Sequence, residues 1–331
     1  MTAGRPAARP ASSARTGVLV MAHGTPSTLD QVEAFYTSIR RGRPPTGEQL
    51  ADLRRRYTAI GGTSPLAART RAQVAALAAR LDAEVPGRYV VRFGAKHTAP
   101  SIEEAATDLA TAGPERVVGL VLAPHRSSLG SEEYLARAGR ALASAPGAPP
   151  LLPVRQWHDR PGFAELWAAR VRAALAGMDV PAGGQVEVVF TAHSLPQRTV
   201  AEGDPYTDQV AASAAAAAAA AGVAHWRVAW QSAGRTADPW IGPDLLTLLR
   251  QLAESGTAGV VVCPLGFVAD HLEVLYDLDI EARSVAEGWG LRFARAASLN
   301  DDPGLIAVLA DAVRQAETAP RTPSSGGSSG D

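Results

Sequence analysis

The sequence predicts an α/β fold of two similar Rossmann-like domains, each a parallel sheet flanked by helices, with the active site in the cleft between them. Three observations lead to this prediction: short apolar runs alternate with helical patterns, the two halves of the chain repeat one scheme, and histidines follow the ends of strands. Strands that alternate with helices are typical of parallel sheets covered on both faces. Such sheets bind ligands beyond the carboxyl ends of their strands, so we expect the site there.

The first half of the chain alternates strand and helix candidates in order. Short apolar runs predict buried strands, and longer stretches with one apolar face predict helices. The predicted strands are residues 18–22, 89–93 and 117–122, and the predicted helices are residues 33–40, 47–57, 64–81 and 102–112.

The second half repeats this scheme. Its predicted strands are residues 186–191, 226–230 and 259–263, and its predicted helices are residues 210–223, 245–254 and 270–286. The stretch 18–25 is similar to the stretch 188–195, and each places a histidine just after a strand, His23 in one and His193 in the other. This similarity indicates an old duplication.

Composition and length place the chain among globular proteins. It has 331 residues and a formal net charge of −1, with 46% hydrophobic and 20% charged residues. This balance gives no argument for nucleic acid or an anionic membrane as a partner. We expect a disordered leader at residues 1–16, domains at residues 17–155 and 156–316, and a disordered tail at residues 317–331. The N-terminus has no apolar signal segment, which predicts a cytoplasmic protein.

His193 is the first candidate for chemistry. A neutral imidazole at the end of a strand can accept a proton or bind a borderline metal ion. The alternative is a histidine that only hydrogen-bonds the backbone of its loop. The similar position of His23 and a nearby group of acidic residues favour the functional interpretation.

Glu273, Asp277 and Glu281 form the second candidate group. Their spacing on a helix places three carboxylates in one row on one face, although like charges at this spacing destabilise a helix. Oxygen ligands in a line suit a divalent cation that is passed along. The alternative is a solvated acidic face. The row lacks alternating lysines and starts soon after a strand end, which favours a functional role.

A third group is basic and comprises Arg40, Arg41 and Arg43, followed by residues 54–56. Arginine binds carboxylates in a bidentate way, so an anionic substrate with several carboxylates fits this group. An exposed loop is the alternative, and spacing alone does not decide between them. The single cysteine, Cys263, lies in an apolar strand and can provide neither an internal disulfide nor the thiolates of an iron–sulfur cluster.

Several long motifs carry a resemblance to a known family. They are residues 21–26, 36–44, 57–66, 192–196, 230–244 and 266–277. Through them the chain resembles the ferrochelatases, and most of all the coproporphyrin-type enzymes of Gram-positive bacteria, from about residue 17 to residue 314. The resemblance implies two chelatase-type domains and a lyase that inserts Fe²⁺ into a porphyrin. The implied porphyrin is coproporphyrin III, which becomes coproheme in haem biosynthesis.

The resemblance also implies roles for the candidate residues. His193 and Glu273 correspond to the catalytic pair at the point of metal insertion. Asp277 and Glu281 correspond to an acidic row leading away from it, where a second divalent ion such as Mg²⁺ can sit. The positions implied to hold or neighbour the porphyrin propionates are Arg40, Arg56, Tyr57, Ser64 and Tyr134. No cofactor beyond the substrate Fe²⁺ is expected, and the single cysteine excludes the iron–sulfur cluster of some relatives.

His23 departs from the family pattern. Close relatives often carry a tyrosine at this position that can ligate the iron of the product. Imidazole is also a competent iron ligand. We therefore hypothesise that His23 contacts the substrate and caps the product iron opposite His193, with a purely hydrogen-bonding histidine as the alternative.

Other functions remain open at this stage. The same scaffold could serve protoporphyrin IX, which has two propionates where coproporphyrin III has four. It could also insert cobalt or nickel into sirohydrochlorin, or carry haem or metal without catalysis. The intact acid–base pair and acidic row argue against a carrier, and the motif at residues 230–244 argues against sirohydrochlorin. The arginine loop and the resemblance favour coproporphyrin III. We expect a monomer that binds neither nucleic acid nor a membrane stably.

Overall fold

Two four-stranded parallel sheets form the framework of the protein. The structure is a computed structural model that describes residues 15–234 and 238–319. Helices cover the faces of both sheets, which confirms the fold class that the sequence predicts. Among the described residues, none of the helices combines the length and apolar character needed to cross a bilayer.

The first sheet has the strand order β2-β1-β3-β4. Its strands are β1 (Thr16–Ala22), β2 (Tyr89–Ala95), β3 (Arg116–Val121) and β4 (Leu151–Val154). The helices of this half are α1 (Val32–Ile39), α2 (Gly47–Ala59), α3 (Leu66–Glu84), α4 (Ile102–Thr111) and α5 (Ser131–Ala143). Every residue of β1 is buried, because this strand lies inside the sheet with both faces covered.

The second sheet has the order β6-β5-β7-β8, which is the order of the first sheet repeated. Its strands are β5 (Val186–His193), β6 (Trp226–Gln231), β7 (Gly259–Cys263) and β8 (Arg292–Arg295). The matched positions of β1 and β5 confirm that the two halves are similar domains.

Seven α-helices and one π-helix are described in this half. They are α6 (Phe163–Ala176), α7 (Gln197–Ala201), α8 (Tyr206–Ala221), α9 (Leu245–Glu254), α10 (Leu272–Leu275), the π-helix Asp277–Ala282, α11 (Arg283–Gly288) and α12 (Pro303–Thr318). The helix predicted over residues 270–286 is confirmed from Leu272 onwards, but three successive helices, α10, the π-helix and α11, stand where one was predicted. The amide of Glu281 donates to the carbonyl of Tyr276 at 2.9 Å, five residues earlier, and this π spacing breaks the regular row of carboxylates.

Two edge strands were not predicted from the sequence. β4 contains Pro153, and β8 carries Arg292 and Arg295. Proline and charged side chains are tolerated at sheet edges, where one side of the strand makes no ladder hydrogen bonds. The apolar pattern therefore weakens where the sheets end.

The described fold extends slightly past the expected domain limits. β1 begins at Thr16 and α12 continues through Glu317. The Glu317 carboxylate accepts hydrogen bonds from Thr16 Oγ1 at 2.7 Å, Tyr89 OH at 2.6 Å and Arg88 Nη2 at 2.9 Å, which ties the two ends together. The remainder of the predicted leader and tail, residues 1–14 and 320–331, lies outside the described residues.

The two halves share one continuous core. Val18 and Leu120 of the first sheet belong to the same buried cluster as Phe190 and Val261 of the second. Burial of this size is the main favourable term in folding and holds the sheets in a fixed relation. The cleft between the halves therefore has firm walls.

Candidate active site

A cleft of about 1060 Å³ opens at the carboxyl ends of both sheets. Most of the site residues predicted from the sequence line this cleft, although they are far apart in the chain. They are His23, Arg40, Arg56, Tyr57, Ser64, His193, Glu273 and Asp277. The cleft is at the upper end of the size range of small-molecule sites.

His193 is the last residue of β5 and faces Glu273 across the cleft floor. Its Nδ1 lies 2.5 Å from the Ser194 carbonyl and donates to it, so Nε2 carries the free lone pair. Nε2 lies 3.8 Å from Glu273 Oε1, which is too long for a hydrogen bond. Ligand bonds of about 2.0–2.2 Å to one metal ion place two donor atoms roughly 3–4 Å apart. The pair is therefore spaced to hold one ion between them.

Glu273 is surrounded by imidazoles. Its side chain is 38% exposed because it faces the open cleft, although protein atoms surround it on all other sides. Burial opposes ionisation, but the positive charge that His193, His271 and His23 gain on protonation outweighs this effect and lowers the pKa of Glu273 to about 2. The carboxylate is thus charged in the range of physiological pH and attracts cations.

His271 also lines the cleft, although it is not among the site residues predicted from the sequence. Its Nε2 lies 3.6 Å from Glu273 Oε2, and its Nδ1 lies 3.0 Å from the Ala269 carbonyl. The ring also packs on Phe267, with the ring centroids 4.9 Å apart. The signal that could have identified it is its position in the chain, two residues before Glu273 in the loop that follows β7.

Asp277 lies one helical turn beyond Glu273 and is only 7% exposed. Its Oδ2 accepts a hydrogen bond from Ser232 Oγ at 2.6 Å, and its Oδ1 lies 3.3 Å from Arg56 Nη1. Burial raises the pKa of Asp277 to about 6, and the nearby charge of Glu273 adds to this shift. The ion pair with Arg56 joins helix α2 of the first half to the π-helix of the second.

Arg56 is held from several directions. Its Nε lies 3.3 Å from Asp52 Oδ2, and its guanidinium carbon lies 4.8 Å from the centroid of the Tyr276 ring. Helix α2 starts with a capping box, in which the side chains of Thr46 and Gln49 each bond the backbone of the other. This firm start sets the direction of the helix and brings Arg56 to the cleft at its end.

Aromatic side chains of the first half surround His23 at the cleft. The His23 ring lies 4.7 Å from the His97 ring and 5.7 Å from the Phe35 ring, measured between centroids. The His23 side chain is exposed to the cleft, yet it lies deep among protein atoms, and burial lowers its pKa. The imidazole is therefore kept neutral, which is the form that can bind a metal.

An arginine-rich edge borders the cleft. Arg40, Arg41 and Arg43 follow α1, where Arg41 has a φ of 56° and Gly42 has a φ of 86°. These left-handed conformations end the helix and turn the chain along the cleft. Tyr57 lies buried below, with its hydroxyl 3.3 Å from Thr25 Oγ1, and burial raises its pKa to about 12.

The other predicted contacts lie partly or wholly outside this arrangement. Ser64 lines the cleft but accepts a hydrogen bond from the Leu66 amide at 3.2 Å, where α3 begins. Tyr134 is buried on α5 beneath Lys96, whose Nζ lies 5.0 Å from the ring centroid. The lining of the cleft does not include Tyr134 or Glu281. The role of these two residues stays a prediction from the sequence.

A second ion is expected at Asp277 and Glu281, but the Asp277 carboxylate already has partners within the protein. Both oxygens of Asp277 already interact with protein groups, namely Ser232 and Arg56. Glu281 is close enough to raise the pKa of Asp277 further. The donor chemistry fits a hard divalent cation, which would compete with Arg56 for the Asp277 carboxylate.

Comparisons with known proteins agree on one family. The model of the family described as Ferrochelatase matches residues 15–317. The chain is 46% identical over 300 residues to a coproporphyrin III ferrochelatase of Geobacillus kaustophilus, covering 90% of this chain and 94% of the relative. It is 42% identical over 297 residues to a ferrochelatase of Herpetosiphon aurantiacus, covering 90% of this chain and 97% of the relative.

Similar solved structures give the fold. The sirohydrochlorin chelatase SirB of Bacillus subtilis in complex with cobalt matches with a TM-score of 0.55 at 11% identity, covering 92% of this chain and 97% of that one. A multidomain protein of Deinococcus radiodurans with similarity to chelatases matches with a TM-score of 0.53 at 15% identity, covering 92% of this chain and 55% of that one. At these identities the match concerns the architecture of the two sheets.

The raised pKa of Asp277 yields a testable expectation for Asp277→Asn. The native carboxyl has a pKa of about 6, above its ordinary value of 3.8, so the wild-type protein loses stability as pH rises through that range. Asparagine does not titrate and can still accept from Ser232. We expect the variant to exceed wild type in free energy of unfolding by about 1–3 kcal/mol near about pH 8, and by little near about pH 4.

Urea denaturation at a series of pH values measures this difference. Glu254→Gln, an exposed carboxylate on α9, serves as the control and should shift stability equally little at every pH. A difference between Asp277→Asn and wild type that does not change with pH would contradict the assignment.

Proposed function

From the premise that this chain belongs to the ferrochelatase family, we propose that it inserts Fe²⁺ into coproporphyrin III to give coproheme. One observation carries the proposal: His193 Nε2 and Glu273 Oε1 face each other at 3.8 Å in a cleft with an arginine-rich edge. The relatives named coproporphyrin III ferrochelatase support the choice of porphyrin. The cytoplasmic monomer expected from the sequence is part of the same proposal.

The reaction exchanges one ion for two protons. A free porphyrin carries two inner N–H groups, and both protons must leave as Fe²⁺ binds the four ring nitrogens. The macrocycle must bend to expose those nitrogens, and contacts remote from the centre can offset the strain. The enzyme therefore needs a proton acceptor at the centre of the cleft and firm binding at its edge.

His193 is placed to accept the two inner protons in turn, passing the first to water in the open cleft before it takes the second. Its Nδ1 is engaged by the Ser194 carbonyl, so only Nε2 is available, and this atom faces the cleft. Proton transfer by a positioned histidine typically contributes about 10²–10⁴-fold to a rate. The same lone pair can hold Fe²⁺ transiently before transfer.

Glu273 complements His193 as the charged partner. Its low pKa of about 2 keeps it ionised, so it can attract Fe²⁺ and stabilise the imidazolium that forms on His193. Asp277 and Glu281 follow Glu273 in the chain, and we call these three carboxylates the acidic path. We propose that a second divalent ion such as Mg²⁺ binds to Asp277 and Glu281. Displacement of Arg56 from Asp277 would accompany that binding and free the guanidinium for a propionate.

The arginine-rich edge supports a substrate with many carboxylates. Arg40, Arg41 and Arg43 all border the cleft on one loop. Guanidinium groups bind carboxylates through charge-assisted, bidentate hydrogen bonds. Four propionates use such an edge more fully than the two of protoporphyrin IX.

A cobalt or nickel chelatase acting on sirohydrochlorin is the second candidate. It is favoured by the shared fold with the sirohydrochlorin chelatases, at a TM-score of 0.55. Imidazole and carboxylate ligands do not strongly separate Fe²⁺ from Co²⁺, so the metal does not decide between the two. The tetrapyrrole that the purified protein turns over distinguishes these two functions.

Anaerobic turnover is the primary test. Purified protein is mixed with Fe²⁺ and either coproporphyrin III, protoporphyrin IX or sirohydrochlorin, and the change in absorbance from free base to metallated product is followed. We expect coproporphyrin III to turn over fastest and His193→Ala to lower that rate by roughly 100-fold or more. His225→Ala, an exposed histidine ahead of β6, is the matched control. Absence of insertion into either porphyrin would refute the proposal, and equilibrium haem binding without turnover would indicate a carrier.

Substrate choice gives a second expectation, for Arg40→Met. If Arg40 binds a propionate, its loss should raise KM for coproporphyrin III about tenfold and KM for protoporphyrin IX by less. Arg250→Met, an exposed arginine on α9, is the control. Equal changes in KM for both porphyrins would contradict a role in selecting the tetracarboxylate.

His23 provides a third expectation. If His23 caps the product iron, the absorbance spectrum of coproheme bound to His23→Ala should lose its imidazole-type features. His97→Ala removes the neighbouring ring and should leave the spectrum as in wild type. An unchanged spectrum in His23→Ala would restrict this residue to hydrogen bonding.

A further inference from the structure

The segment that carries Glu273 and Asp277 has an irregular backbone. Helix α10 spans four residues, Leu272–Leu275, and the π-helix Asp277–Ala282 follows it directly. π-Helical turns are rare and are found frequently at functional sites. So short a helix with so irregular a continuation is not rigid by itself, and the two carboxylates depend on contacts from outside the segment.

Arg295 at the end of β8 supplies the strongest of these contacts. Its Nε donates to Asp279 Oδ1 at 2.7 Å and its Nη2 donates to Asp279 Oδ2 at 3.0 Å. This bidentate arrangement fixes both the distance and the plane of the carboxylate. The Arg295 side chain is only 14% exposed, so water screens the pair little.

The same guanidinium reaches the opposite end of the segment. Its Nη1 lies 3.3 Å from Asp270 Oδ1. Asp270 also accepts from Ser298 Oγ at 2.8 Å and from Asn300 Nδ2 at 2.9 Å, while its amide donates to Asn300 Oδ1 at 2.9 Å. Asp270 is therefore anchored in the core of the second half.

We propose that Arg295 is a positioning residue that sets the distance between Glu273 and His193. The two carboxylates that it binds, Asp270 and Asp279, flank Glu273 and Asp277 in the chain. One guanidinium thus draws together both ends of the segment that carries the acidic residues. Arg295 does not itself line the cleft, so it acts only through this segment.

Gln231 supports the segment from the side of His193. Its Nε2 donates to the backbone carbonyl of Glu273 at 3.1 Å, and Gln231 pairs with His193 in the register of β5 and β6. Glu273 is thereby tied to the strand that neighbours its catalytic partner. With Arg295 holding the ends and Gln231 the middle, the carboxylate has little freedom to move.

Stability alone does not account for this cluster. The attractions in the cluster outweigh the opposing effect of burial, since the pKa of Asp270 is lowered and that of Arg295 is raised, but an apolar cluster of similar volume could stabilise the fold as well without fixing an orientation. A rigid geometry for the acidic segment is what the cluster provides. The inference rests on the proposed iron insertion, because positioning is measured by that reaction.

Arg295→Met tests the inference. A misplacement of about 1 Å can cost roughly 100-fold in rate, so we expect kcat for iron insertion to fall about 10- to 100-fold. The dissociation constant for coproporphyrin III, measured by fluorescence quenching, should stay within about twofold of wild type, because the arginine-rich edge is untouched. Arg295→Lys keeps the positive charge but cannot make the bidentate ion pair, so its kcat should lie between those of wild type and Arg295→Met.

Arg292→Met is the matched control, since Arg292 is an exposed arginine on the same strand. If Arg295→Met folds poorly, Asp279→Asn tests the same bidentate ion pair with a smaller change and should also lower kcat. Equal kcat for Arg295→Met and Arg292→Met would overturn the inference, as would parallel loss of kcat and porphyrin binding. An inactive wild type would refute the proposed function instead, which separates the two failures.

Discussion

The carboxylate of Glu273 among three imidazoles is the interaction on which the site depends. It keeps a negative charge deep in a cleft that would otherwise favour its neutral form, and it does so next to the free Nε2 of His193. A base and a metal-attracting anion are then available on the same patch of the cleft floor. The sheets, the acidic segment and the arginine-rich edge can each be understood by how they place this pair.

Parallel sheets make that placement possible. Every strand in both sheets ends on the same side, so residues after β1, β5 and β7 converge although they are distant in the chain. The continuous core between the sheets then fixes the two halves relative to each other. His23 from one half and His193 from the other can therefore face a shared substrate across a cleft with firm walls.

Arg56 connects the two chemical regions of the cleft. It pairs with Asp277 of the acidic path, yet it also borders the space where propionates are proposed to bind. In the proposed function, exchange of Asp277 for a propionate at this guanidinium would link occupancy by porphyrin to the charge of the acidic path. Such buried charges cost stability, as the raised pKa of Asp277 indicates, and active sites commonly retain groups of this kind for function.

The sequence by itself determined the fold class, the repeat of the two halves and most of the cleft residues. β7 and α9 have the predicted limits, because each is a strong apolar pattern with clear ends. The tertiary structure decided the local backbone and the side-chain directions, which hydrophobic periodicity does not encode. The π-helix arises where Arg295, Ser232 and Gln231 hold the acidic segment from other parts of the chain. His271 joined the site, and Tyr134 lies beneath Lys96 away from the cleft, because side-chain direction depends on packing between distant elements.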